Sequence, residues 1–218
     1  MLWLRSRSSH IKAALWMEFV IMNIEEIEII FAINGEILKT SELYRNGITK
    51  YEVKKYVDMG VLERVSQGYF KLSATEISDA KLIALMIPDA VLCLDTALFY
   101  YGYSDRTPRA WHIAVNKDSS KAKVRIDYPF IKAYFVEREI LDVGVERIVM
   151  NDVELKIYSR DRLICDCLKY EKKMDVETFN KALLNYINDP KKNISKLIEY
   201  AKIRGVTKKV YDKIGTWL

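Results

Sequence analysis

Three sets of residues in this 218-residue chain have the types and spacing to do chemistry. The first is cationic and aromatic. Lys50, Tyr51, Lys54 and Lys55 follow directly on Thr49, and Arg64, Gln67 and Lys71 come shortly after. Lysines so placed bind phosphate or guanine, and a tyrosine packs on a thymine methyl or bonds a phosphate. The second set is Asp127 with Glu154-Leu155-Lys156. An Asp followed by an acidic-x-Lys triplet on a strand fits a metal-dependent nuclease, in which two carboxylates hold Mg²⁺ and the lysine supports the attacking water. The third set is Cys93, Cys165, Cys167 and His112. Cys165 and Cys167 stand about 200° apart on a helix and share no metal readily, so all three thiols read as buried small hydrophobes. His112 lies in a strand with no nucleophile motif beside it and reads as structural. There is no Gly-rich phosphate loop and no dinucleotide fingerprint.

The elements that carry the first set are written in capping signals. Asn23 with Glu26 opens a helix whose apolar face is Ile24, Ile27, Ile30 and Phe31, and Asn34-Gly35 ends it. A short second helix follows Thr40, with Leu43 and Tyr44 inward and Gly47 as its stop. Thr49 with Glu52 caps a third helix that stops at Gly60. At about 100° per residue, Val53, Tyr56 and Val57 share its core face, while Tyr51, Lys54, Lys55 and Asp58 lie opposite and Lys50 sits at the border. Residues 61–72, VLERVSQGYFKL, read as a hairpin turning at Ser66-Gln67-Gly68. Three short helices and a hairpin are the plan of a winged helix-turn-helix, whose third helix enters a major groove at its amino end. Arg64, Gln67 and Lys71 are then the polar contacts of the wing.

The remainder predicts a mixed domain. Ser73 with Glu76 is another capping-box pattern, opening a helix through Ile77, Ala80, Ile83, Ala84 and Ile87 that ends at Pro88. A short apolar run, a helix through Ala97 and Phe99, and strands at Trp111–Val115 and Phe130–Val136 come next. RIVMNDVELKIYS is strand, Asn-Asp turn, strand, with Val153, Leu155 and Ile157 inward. That alternation leaves Glu154 and Lys156 facing solvent, which favours a charged surface pair over the nuclease. After Ser159 the pattern is helical: Leu163, Ile164, Cys167 and Leu168; then Val176, Phe179, Ala182, Leu183, Tyr186 and Ile187; then Ile194, Leu197, Ile198 and Ala201; and a last helix after Thr207. The fold class expected is α+β: an N-terminal winged helix-turn-helix at 23–73, then a mixed α/β domain at 74–218 ending in a helical bundle.

Composition excludes disorder, collagen-like repeats, a disulfide scaffold and a membrane span. The net charge of +5 is unevenly placed: residues 1–80 hold 10 Lys+Arg and 11 Asp+Glu, so the surplus lies beyond them. Residues 1–22 differ in character from the rest of the chain. Their apolar run is broken by Glu18 and has no small-residue cleavage site, so an upstream extension is expected, with Met17 or Met22 as the natural start.

The stretch ILKTSELYRNGITKYEVKKYVDMGVLERVSQGYFKL resembles the N-terminal domain of AbiEi-type antitoxins of type IV, abortive-infection toxin–antitoxin systems. That domain has a threonine-capped helix, a glycine, a capped recognition helix, Gly-x-Leu and a wing. Thr40, Gly47, Thr49, Gly60, Leu62, Arg64, Gly68 and Tyr69 occupy those places. Downstream, LDTALFYYGYSDRTP is similar to the family's Ser-Ala-Leu stretch, and IYSRDRLICDCLKY to its strand–Ser–helix element with a buried Asp, here Asp166. Asp95-Thr96 replace the usual Ser-like start, and the wing tip carries Ser66-Gln67 in place of a basic tip. The resemblance implies a cytoplasmic phage-defence regulator, not an enzyme and without cofactor or metal. It would repress its own operon at inverted repeats in double-stranded DNA and counteract a nucleotidyltransferase-like toxin with no stable complex.

Overall fold

The computed structural model describes residues 24–126 and 128–217. The extension at 1–22, the Asn23 cap and Asp127 lie outside the described residues. Two compact units divide at Glu76/Ile77.

In the first unit, helix α1 (24–34) buries Ile27, Ile30 and Phe31. Strand β1 (Leu38–Lys39) leads into α2 (Thr40–Arg45) and α3 (Lys50–Asp58), and β2 (Leu62–Ser66) and β3 (Tyr69–Leu72) complete an antiparallel sheet of order β1-β3-β2. Leu38, Leu43, Ile48, Val53, Tyr56, Leu62 and Phe70 close one core with α1. The Leu38-Lys39 pair is a strand, made so by its pairing with Phe70 and Tyr69. Two expectations need correction. Thr40 is the first residue of α2 and does not cap it; its N–H and hydroxyl both donate to the Gly68 carbonyl, at 2.8 and 3.2 Å. Tyr44 is exposed, because Leu43 alone satisfies the inward position of so short a helix.

The second unit is mixed. Helix α4 (Asp79–Met86) is capped by Ser78, whose hydroxyl accepts from the Lys81 N–H at 3.3 Å. The Ser73 box therefore does not open it, and α4 starts later than expected. Next come β4 (Val91–Leu92), α5 (Leu94–Tyr100), β5 (Trp111–Asn116), β6 (Ile131–Val136), α6 (Arg138–Leu141), β7 (Val145–Met150) and β8 (Val153–Tyr158). They build a five-stranded sheet of order β6-β5-β4-β8-β7, parallel at β5·β6 and β4·β8 and antiparallel elsewhere. The β7–β8 turn is Asn151-Asp152, both at positive φ, as a tight hairpin demands. Helix α7 (Arg160–Tyr170) packs against α5, α8 (Val176–Asn188), α9 (Ile194–Arg204) and α10 (Thr207–Ile214). Every residue of α7 from Asp161 to Leu168 is buried. On α8 the stripe of Phe179, Ala182, Leu183 and Tyr186 is buried, but Val176 is 73% exposed at its first turn.

Candidate nucleic-acid interface

Helix α3 begins where its capping box places it. Thr49 Oγ1 accepts from the Glu52 N–H at 3.3 Å. In return, Glu52 Oε2 accepts from the Thr49 N–H at 2.8 Å and from its hydroxyl at 2.7 Å. The Thr49 backbone N–H is the main cause of a Glu52 carboxyl held below its ordinary range, with the hydroxyl next. Thr49 thus spends its polar groups on the helix end and acts by positioning α3. Val53 and Tyr56 are buried beneath it. Lys50, Lys54 and Asp58 are exposed, and Tyr51 is 77% exposed. Lys55 is half-buried although it lies opposite Val53, and it adds to the electrostatic hold on Glu52 one turn back.

The hairpin brings up the other candidates. Gln67 and Gly68 form its turn, and Gly68 has φ +78, a conformation that costs a side-chain-bearing residue about 1–2 kcal/mol. Gln67 is exposed at the tip, and Arg64 is exposed with its Nε donating to the Ser66 carbonyl at 3.3 Å. A bulge at Val65 shifts the register so that Glu63 stands opposite Lys71. Lys71 Nζ then lies 2.7 Å from Glu63 and 3.0 Å from the Thr75 carbonyl, which binds this cation inside the unit. Of the eight candidates, Lys50, Tyr51, Lys54, Arg64 and Gln67 are exposed, Lys55 is half-buried, and Thr49 and Lys71 are occupied. Lys39, which sequence reasoning passed over, is exposed with Nζ 5.8 Å from the Tyr69 ring centroid. Only the β1–β3 pairing brings it beside the hairpin.

Of the second set, Asp127 lies outside the described residues. Glu154 is exposed and ion-paired with Arg147, and Lys156 Nζ sits 4.0 Å from Asp89. Among the described residues no cluster of His, Cys, Asp and Glu could hold a metal ion. Cys93, Cys165 and Cys167 are free and buried, and burial pushes the Cys165 thiol up to about 12. His112 is buried; its Nδ1 accepts from the Asp95 backbone N–H at 3.3 Å, and its Nε2 lies 3.6 Å from the Asp95 carboxylate. Burial holds this imidazole below its usual value, Asp95 opposing and Lys132 adding to the effect. Among the described residues no helix is long and apolar enough to cross a membrane.

No protein-family model matches the chain, and no curated protein matches it.

Proposed function

We propose that the first unit is a winged helix-turn-helix and that the chain is a DNA-binding autorepressor and antitoxin. The observation that carries the DNA reading is the free face of α3, where Lys50, Tyr51 and Lys54 stand exposed behind a fixed amino end, with Val53 and Tyr56 turned to the core. A helix anchored on one side and cationic on the other suits major-groove insertion, and Arg64 and Gln67 on the hairpin suit flanking phosphates. The antitoxin role rests on the resemblance to AbiEi-type antitoxins. The role that resemblance implies is that of a cytoplasmic protein acting on inverted repeats upstream of its own operon against a nucleotidyltransferase-like toxin.

Counterion release sets the test. Each lysine engaged with phosphate contributes about 0.9 to the slope of log affinity against log salt. Lys50→Ala with Lys54→Ala is expected to flatten that slope by about 2 per bound protomer in a gel-shift titration on the upstream DNA. Wild-type affinity and slope in the variant would reject the reading. The antitoxin role is tested separately, by growth rescue when the chain is co-expressed with a nucleotidyltransferase encoded beside it.

A further inference from the structure

The cationic surplus of the second unit is concentrated, and one concentration coincides with exposed aromatic rings. Residues 105–132 carry seven Lys and Arg against three Asp. Within that stretch Tyr128 is 55% exposed and Phe130 is 68% exposed. These rings stand at the entrance to β6, an edge strand of the five-stranded sheet.

The rings are held in position. The Trp111 indole N–H donates to Asp79 Oδ2 at 3.2 Å, and the Tyr128 hydroxyl bonds the same carboxylate. The Trp111 backbone N–H donates to the Phe130 carbonyl at 2.8 Å, which fixes the chain between the two exposed rings and the sheet. Tyr128 and Phe130 meet edge to face, with centroids 6.4 Å apart. The side chains of Trp111 and Tyr128 are therefore tied to one carboxylate at the start of α4, Phe130 packs against Tyr128, and both Tyr128 and Phe130 stay largely exposed. Ordering two such rings in water gains little for the fold, since their apolar surface stays wet.

Four cations lie close by along the chain. Arg109 lies two residues before Trp111, Lys132 two residues after Phe130, and Lys121 and Arg125 on the segment leading to Tyr128. All four are exposed, and among the described residues none has an ion pair with an acidic side chain, although Lys132 Nζ lies 5.7 Å from the Tyr134 ring centroid. Lys117, by contrast, is paired with Glu137. Among the described residues, Asp79 touches the cluster and is occupied by Trp111 and Tyr128.

We propose that Tyr128 and Phe130, flanked by Arg109, Lys121, Arg125 and Lys132, form a stacking platform for a single strand of nucleic acid. Bases in a duplex are stacked on one another and offer no face to a protruding ring. A single strand offers a face at each base and a phosphate at each step, which is what aromatic rings between free cations bind. These residues belong to the second unit and α3 to the first, and the proposal does not depend on duplex binding by α3.

The test uses the full chain and 5′-labelled dodecamers of U and of dT in fluorescence anisotropy at low salt. The wild type is expected to bind at least one of them, the two arms showing whether the sugar matters. Tyr128→Ala with Phe130→Ala is expected to weaken binding about tenfold or more, since each stacked base loses its partner. Phe130→Trp, which keeps a ring, is expected to retain it. Lys50→Ala with Lys54→Ala is expected to leave dodecamer binding unchanged, so failure here is distinguishable from failure of the duplex reading. Absence of binding by the wild type would overturn the proposal, as would undiminished binding by the double alanine variant. Loss of self-association in that variant with dodecamer affinity intact would also overturn it, assigning the rings to a second copy of the chain.

Discussion

The buried carboxylate of Asp166 is expected to be the most sensitive single side chain in the second unit. Asp166 is 3% exposed and faces two guanidinium groups at once: Arg162 Nε at 3.2 Å from Oδ2, and Arg204 Nε at 2.5 Å from Oδ1. Arg162 is fully buried, lies 4.4 Å above the Tyr158 ring, and donates through Nη1 to the Ile140 and Val143 carbonyls at 3.1 and 2.8 Å. One carboxylate therefore joins α7, α9 and the turn after α6. Asp166→Ala leaves two cations inside a low-dielectric core with no anion.

Removing one partner of a buried pair costs about 3–5 kcal/mol, against a total domain stability of about 5–15 kcal/mol. Arg204 keeps a hydrogen bond with Tyr170 and Arg162 keeps two carbonyls, so the low end, about 3 kcal/mol, is expected. Urea unfolding of the full chain, followed by near-ultraviolet circular dichroism, measures it. The comparison that isolates the cause is Arg162→Met, Asp166→Leu and Arg204→Met together. With every charge removed and volume kept, that variant is expected to recover most of the loss. A loss below about 1 kcal/mol in Asp166→Ala would refute the reasoning, as would a triple variant no more stable than the single one.

Other outcomes rest on the same geometry. His112 is bound in its neutral form, so its contribution is complete above the unfolded value of 6.5 and declines as pH falls below it. The groups facing it are Asp95, Tyr134 and Lys132, and His112→Gln is expected to flatten the fall in Tm between about pH 7 and pH 5. An unchanged pH profile would assign the effect elsewhere. Gly144 has φ +72, and an added Cβ would sit 2.8 Å from Arg162 Cβ. Gly144→Ala is therefore expected to lower stability by about 2 kcal/mol or more, read as a fall in the urea midpoint. Thr49→Ala removes the cap of α3 and is expected to cost the first unit about 1 kcal/mol, with Thr49→Ser restoring most of it in a thermal melt.

Local signals were the legible part of this chain. The Thr49–Glu52 box marks the start of α3 because both of its bonds lie within four residues, and Asn151-Asp152 marks a turn because few other residues accept two successive positive φ values. The same type of signal at Ser73–Glu76 misled, since Ser78 lies within a few residues and the chain before it stays irregular. Pairing over longer distances was not legible. Strand β1 exists only because β3 lies beside it, and Lys71 is neutralised only because the Val65 bulge moves Glu63 across from it. An unbulged hairpin would set Lys71 opposite Arg64 and leave both cations open. Asp161 and Arg162 are buried although no local pattern marks them so. Their partners Tyr186, Asn193 and the Val143 carbonyl lie far off in sequence, and Arg204, the second cation on Asp166, is farther still.

The account turns on which face of the first unit meets DNA. A benzophenone photo-crosslinker in place of Tyr51 tests this directly, with the same group in place of Ile29, which is 57% exposed on α1, as its counterpart. Irradiation on the upstream duplex is expected to trap DNA from position 51 and not from position 29. Crosslinking from position 29 with none from position 51 would contradict the assignment of α3 as the helix that enters the groove.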